Sequence, residues 1–315
     1  MRANFAALSI VVLLGAATCS AQSTAPGSPA SAPVDYSIVN CSNFVSDQKV
    51  PDDTRLISGE QSNYKIAFSQ GDYVYINRGQ DKGVRLGDRF QVVRPEKDPM
   101  DVIWFKWQPK LMKAMGTAYF DAGQIRIVSV QPKVSIGRVT LACSGIMQRG
   151  DIVRPYAERP APIYRDGNGF DHFAPISGKP VAMVVTGSDW AQTLGTRSVA
   201  FVNLGAAQGV KVGDYYRIFR YQGTQAESAP VGDPAQYAMF FNFFSPNPLK
   251  WSTTEGTYQY QIYGFGSNPV HYTWKDLPRE ILGEGVVLNV SRNSSTMMVT
   301  YSSIPIYSGD YVETE

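Results

Sequence analysis

The sequence predicts an all-β protein: two tandem, small, barrel-like β modules after a signal peptide and a Pro/Ala/Ser-rich spacer. Three observations predict it. One pattern occurs twice without a gap, as YVYINRGQDKGVRLGDRFQVVR at 73–94 and VAFVNLGAAQGVKVGDYYRIFR at 199–220. The apolar stretches of both copies are short and rich in aromatic and β-branched residues, which suit a pleated, half-buried surface. Gly, Asn and Asp separate them, and these residues close tight turns.

The repeat is the strongest of the three. Asn77 pairs with Asn203, Gly79 with Gly205, Gly83 with Gly209, Val84 with Val210, Gly87 with Gly213, Asp88 with Asp214 and Arg94 with Arg220. The similarity extends upstream, where Leu56-Ile57-Ser58-Gly59 matches Val184-Val185-Thr186-Gly187. Downstream, 123–153 matches 283–312, and each stretch ends in Gly-Asp-x-Val, at Gly150-Asp151 and Gly309-Asp310. Self-similarity of this kind marks a duplicated structural unit.

Individual strands follow from the pattern. Tyr73–Ile76 and Phe90–Val93 are short apolar runs, while Ile125-Arg126-Ile127 and Val139-Thr140-Leu141 alternate with period two. A short helix is expected within 109–118. The Gly-Val-x-x-Gly-Asp element could cradle a phosphate only if it opened a helix. A strand follows it in both copies, so Gly79, Gly83, Gly87, Asp88, Gly205, Gly209, Gly213 and Asp214 read as structural turn residues. Asp151 and Asp310, each after a Gly, read the same way, with carboxylates accepting nearby backbone N–H groups.

The organisation along the chain is a signal peptide at 1–21, a flexible spacer at 22–36, and a first module at 37–156 with its repeat core at 55–156. A linker at 157–181 and a second module at 182–315 follow. The leader shows Arg2, an uncharged apolar run from Phe5 to Ala17 and small residues up to Ala21. The run is shorter than the roughly 20 residues of a membrane-spanning helix. Cys19 offers an alternative as a lipidated cysteine, although Ala16 and Thr18 fit a lipobox poorly. The mature chain is therefore expected in the periplasm or outside the cell, with no transmembrane span.

Composition excludes some partners. Lys and Arg number 29 against 27 Asp and Glu, with no dense basic cluster, so nucleic acid is not expected. Once the leader is removed, Cys41 and Cys143 remain. An even count in an oxidising compartment is consistent with one disulfide. Two separate buried thiols are the alternative.

The repeated pattern Val/Ile-Asn-x-Gly, three residues, Gly-Val-x-x-Gly-Asp, with an aromatic close behind (Phe90, Tyr215), resembles a β module of exported bacterial proteins. It is similar to the C-terminal domain of flagellar assembly protein T, and to domains of exported envelope proteins that carry LysM modules. The resemblance implies a non-catalytic role in envelope assembly or anchoring.

Residues for chemistry are sparse. His172 and His271 lie outside any metal-ligand spacing. Ser62-Asn63-Tyr64-Lys65 matches Ser-x-x-Lys without the accompanying elements of penicillin-binding enzymes. Asp166 to Asp171 has oxygen ligands at alternate positions but lacks the acidic residue that completes an EF-hand. No cofactor, metal or catalytic residue is expected.

Aromatic insertions stand out instead. Each module carries one after the strand that follows Gly-Asp. The first holds Trp104, Phe105 and Trp107. The second, at 222–282, has twelve aromatics, among them Phe240, Phe241, Trp251, Tyr260 and Trp274. Such rings either fill a satellite core or form a binding platform. The expected function is an exported envelope scaffold, with a glycan- or peptidoglycan-binding module as the alternative. The expected partner is an envelope protein or a cell-wall glycan.

Overall fold

A computed structural model describes residues 32–61, 64–99, 102–144, 146–165, 170–222 and 278–315, with the backbone of three further strands between 248 and 272. An N-terminal segment comprises β1 (Ala32–Pro33), α1 (Tyr36–Asn40) and β2 (Phe44–Ser46). The first module follows as β3 (Leu56–Gly59), β4 (Ala67–Phe68), β5 (Tyr73–Ile76), β6 (Arg89–Glu96), α2 (Gln108–Met115), β7 (Thr117–Val130), β8 (Ser135–Ala142), β9 (Met147–Gln148) and β10 (Ile152–Pro155). After β11 (Ile163–Tyr164) the second module begins with β12 (Val181–Gly187), β13 (Thr193–Leu194), β14 (Val199–Val202) and β15 (Tyr215–Arg220). A three-stranded sheet of β16 (Pro248–Ser252), β17 (Thr257–Gln261) and β18 (His271–Tyr272) falls in its insertion. The module ends with β19 (Glu280–Val290), β20 (Ser295–Ser302), β21 (Ile306–Tyr307) and β22 (Tyr311–Thr314).

The all-β reading holds, and the two modules share one topology. The second is a closed barrel in the order β12-β14-β20-β19-β15-β22. The first runs β3-β5-β8-β7-β6-β10 in the equivalent order. Its end strands meet at the bridge from Arg55 to Ile152. There Leu56 N–H donates to Asp151 O (2.9 Å) and Gly150 N–H to Leu56 O (2.7 Å). Val184 N–H to Asp310 O and Gly309 N–H to Val184 O, both 2.8 Å, are the counterparts in the second barrel. A small ribbon, β4 with β9 and β13 with β21, accompanies each barrel.

Every identity in the repeat has a structural cause. Asn77 Oδ1 accepts Arg55 N–H (2.6 Å) and Asn203 Oδ1 accepts Met183 N–H (2.7 Å), which ties the start of each barrel to its second strand. Gly83, Gly87, Gly209 and Gly213 have φ between 80° and 93°, where a side chain is strained. Gly79 and Gly205 differ from that expectation, since their φ values of −127° and −142° suit any residue. They are glycines because a Cβ would lie 2.4 Å from Gln131 O or 2.5 Å from Ser291 O. Val84 and Val210 are buried.

Alternate positions of the barrel strands fill the two cores. Leu56, Val74, Ile76, Ile125 and Val139 point inward in the first. Val184, Val202, Tyr216, Ile218, Val287 and Val299 do so in the second. Tyr216 keeps a polar partner, Ser295 Oγ at 2.9 Å, and burial pushes its phenol up to about 12. The short helix expected within 109–118 is α2.

The N-terminal segment lies between the barrels. Asn40, Asn43 and Phe44 face the first, while Val34, Ile38 and Val39 pack on Val286, Leu288 and Met298 of the second. The spacer therefore ends earlier than 36. Ala32–Pro33 pairs with Ile163–Tyr164, and Val34 is buried because a face of the second barrel, distant in sequence, covers it. The linker is also packed: Arg159 is held by Asp121, and Ala174 is buried beside Phe219. Cys41 and Cys143 form a disulfide with Cα atoms 5.4 Å apart, joining the end of α1 to the end of β8. Among the described residues no helix is long and apolar enough to cross a membrane.

Candidate functional site

The motif residues are occupied by structure. Asp88 and Asp214 carboxylates accept the N–H of Arg85 and of Lys211, each at 2.8 Å. Asp151 and Asp310 accept the N–H of Gln148 and Tyr307, each at 2.7 Å. Each of the latter two also takes a bidentate pair from the repeated arginine, Arg94 or Arg220. These fork-to-fork bonds fix the last strand of each barrel to its third.

The other candidates are dispersed. His172 is exposed with its ring edge-on to Phe170 at 4.7 Å. His271 sits on β18, and its side chain lies outside the described residues, as do Ser62, Asn63, Asp166 and Asn168. Lys65 pairs with Asp72 at 2.6 Å. Asp171 accepts the N–H of Phe173, closing its own turn. Among the described residues no group of three or more His, Cys, Asp or Glu could hold a metal.

The first insertion separates into two kinds of ring. Phe105 is fully buried, which removes it from any binding surface. It packs on the second barrel, where a Cβ at Gly309 would come within 3.2 Å of its ring. Trp104 is half-buried and its backbone N–H donates to Gln108 Oε1 (2.7 Å). Trp107 is 44% exposed, with the Lys106 ammonium 5.1 Å from its ring centroid. In the second insertion Phe240, Phe241 and Trp274 lie outside the described residues. Trp251 and Tyr260 fall on β16 and β17, which pair antiparallel, and only their backbone is described.

The insertion instead builds a groove at the seam of the barrels. It has a volume of about 560 Å³ and runs between Glu96 and Asp98, the stretch Val102–Ile103, helix α2 and Trp190. Its floor includes Ala118 of β7 and Met112 of α2. Below it, Val45, Met115, Val185 and Phe201 form one apolar cluster that spans both barrels. Gln108 Nε2 donates to Val185 O (2.9 Å) across the seam.

Charge and backbone geometry are unusual here. The Glu96 carboxyl is pushed up, first by burial and then by the charge of Asp189, against the pull of Arg94. Burial and a like charge both favour the neutral form of the Glu96 carboxyl. Asp189 and Trp190 have φ of 56° and 60°, and Asn43, which donates to Ser188 Oγ at 2.7 Å, has φ of 56°. Left-handed backbone at non-glycine residues costs on the order of 1–3 kcal/mol each and clusters at functional sites.

Sequence reading missed Glu96, Asp189 and Trp190. Asp189-Trp190 had one readable signal, a Gly-Ser-Asp-Trp run between two strands, but its φ angles and its neighbour Glu96 come from tertiary structure. No known protein-family model matches the chain, and no curated protein is recognisably similar to it.

Proposed function

We propose that this chain is a non-catalytic, exported envelope protein that acts as a scaffold or anchoring module and holds a partner protein at the seam between its barrels. The observation that carries this reading is the groove itself. It joins an apolar floor, exposed Ile103, the Glu96 carboxyl and the left-handed backbone of Trp190 at the junction of two duplicated units. The Cys41–Cys143 disulfide suits an oxidising compartment. The fully buried carboxylates Asp121 and Glu313 are engaged by arginines that hold the fold.

The test is affinity purification from intact cells after mild crosslinking. One defined set of envelope proteins is expected, lost in an Ile103→Asp variant that still folds. Hydrolysis of labelled peptidoglycan that survives stringent purification overturns the non-catalytic reading.

Exposed Trp107, stacked near a lysine, favours a second reading as a glycan- or peptidoglycan-binding module. Binding to isolated sacculi, abolished by Trp107→Ala, would move the assignment to that reading.

A further inference from the structure

The duplication allows one face to be compared in its covered and uncovered forms. Tyr215, Val286, Met298 and Val199 stand directly opposite one another across four strands of the second barrel. Val34, Ile38 and Val39 of the N-terminal segment cover this row, and Val286 and Met298 are buried beneath them. The equivalent row in the first barrel is Arg89, Arg126, Arg138 and Tyr73, in the same register.

Arg89 has partners, the Tyr36 hydroxyl and Gln124. Arg126 and Arg138 stand opposite each other, exposed, with no side-chain hydrogen bond or ion pair to another described residue. Like charges directly opposite on a sheet are destabilising, so this face repels itself when bare. Exposed apolar residues stand on β3, on β7 and in the turn before β6 of this barrel. Leu86 is 72% exposed, Ile57 44% and Val128 41%. Their counterparts in the second barrel, Val212, Val185 and Leu288, lie along the seam, and the last two are buried. A depression of about 750 Å³ runs from Leu86 to Val128 and Val130.

We propose that this face of the first barrel docks an acidic, apolar segment of a partner protein, laid across β7, β8 and β5 as residues 34–39 lie across the second barrel. Carboxylates of the segment neutralise Arg126 and Arg138, and its apolar side chains cover Val128, Leu86 and Ile136. The scaffold reading gains a partner class here, yet the face is separate from the groove, so the two can fail independently.

The experiment places a photo-crosslinking amino acid at Ile136 of the full chain in intact cells and, in a parallel strain, at Ile103. Crosslinked peptides are then sequenced. The expected result at Ile136 is one segment of another protein, net acidic and with apolar residues. Its yield should fall roughly tenfold or more in Arg126→Glu/Arg138→Glu and be kept in Arg126→Lys/Arg138→Lys. Equal thermal midpoints of the variants show that the loss is not unfolding. The proposal is overturned by no crosslink at Ile136, by a peptide of this same chain, by glycan alone, or by a segment without acidic residues. A crosslink at Ile103 with none at Ile136 would overturn it and leave the scaffold reading standing.

Discussion

Asn43 and Asp121 hold each other through two reciprocal hydrogen bonds. Asn43 N–H donates to Asp121 Oδ2 (3.0 Å), and Asp121 N–H donates to Asn43 Oδ1 (2.8 Å). Around that pair, Arg159 binds both Asp121 oxygens and Gln91 Nε2 binds one of them. Asn43 also reaches the second barrel, donating to Ser188 and accepting from Thr296 at its carbonyl. One residue thus joins the N-terminal segment to both barrels, and Arg159 brings the linker into the same network.

Removing Asp121 strands a buried arginine. Asp121 is fully buried and the Arg159 side chain is 9% exposed. Breaking one side of such a pair typically costs about 3–5 kcal/mol, whereas an apolar replacement of both partners can be neutral. Asp121→Ala should therefore lower the denaturation midpoint sharply, and Asp121→Leu/Arg159→Met should recover part of the loss. Equal midpoints for wild type and Asp121→Ala would refute the role given to this network.

The disulfide closes a loop of 102 residues between the N-terminal segment and the first barrel. Losing a native disulfide in a secreted domain typically costs about 2–5 kcal/mol. A Cys41→Ser/Cys143→Ser variant should unfold at correspondingly lower denaturant. In the unreduced, denatured protein, neither cysteine should react with a thiol label, and both should after reduction.

The two rings of the first insertion should separate in a mutational test. Phe105 is buried against the second barrel, so Phe105→Ala is expected to cost about 3–5 kcal/mol. It should also loosen the seam, read as faster amide exchange at Val185 and Gly309. Trp107 is exposed, and Trp107→Ala should shift stability by less than about 1 kcal/mol. Similar losses from both changes would contradict the assignment.

Two glutamates should shape the pH dependence in opposite senses. Glu96 is raised above its ordinary value of 4.5, so its fold-stabilising balance is present below that value and is lost as pH rises through its folded value. Burial pushes Glu313 up, but hydrogen bonds from Arg279 and the Ser177 N–H outweigh it and hold the carboxyl below 4.5. Its contribution is present above 4.5 and is lost as pH falls through the folded value. Glu96→Gln should thus raise the thermal midpoint at pH 7 relative to wild type more than at pH 4. Glu313→Gln should lower it at pH 7, by an amount that shrinks on acidification.

The sequence by itself determined the duplication, the all-β class and the turn chemistry. Those features depend on neighbours close along the chain. Asp88 needs only the N–H of Arg85, and Gly83 only its own φ, so a fixed spacing encodes them. Cys41 and Cys143 were legible as a possible pair, though their distance was not. Tertiary structure alone decided where the copies differ. Asn43 meets Asp121 across 78 positions, and Ser294 donates to Val45 O across 249. Phe105, whose aromatic character suited a satellite core or a binding platform alike, is a plug because Gly309 leaves room for it. The row Arg89-Arg126-Arg138 and its covered twin Tyr215-Val286-Met298 share a register, yet only packing shows which is sealed. Burial of an outward barrel position depends on what the rest of the chain lays over it, and no local pattern records that.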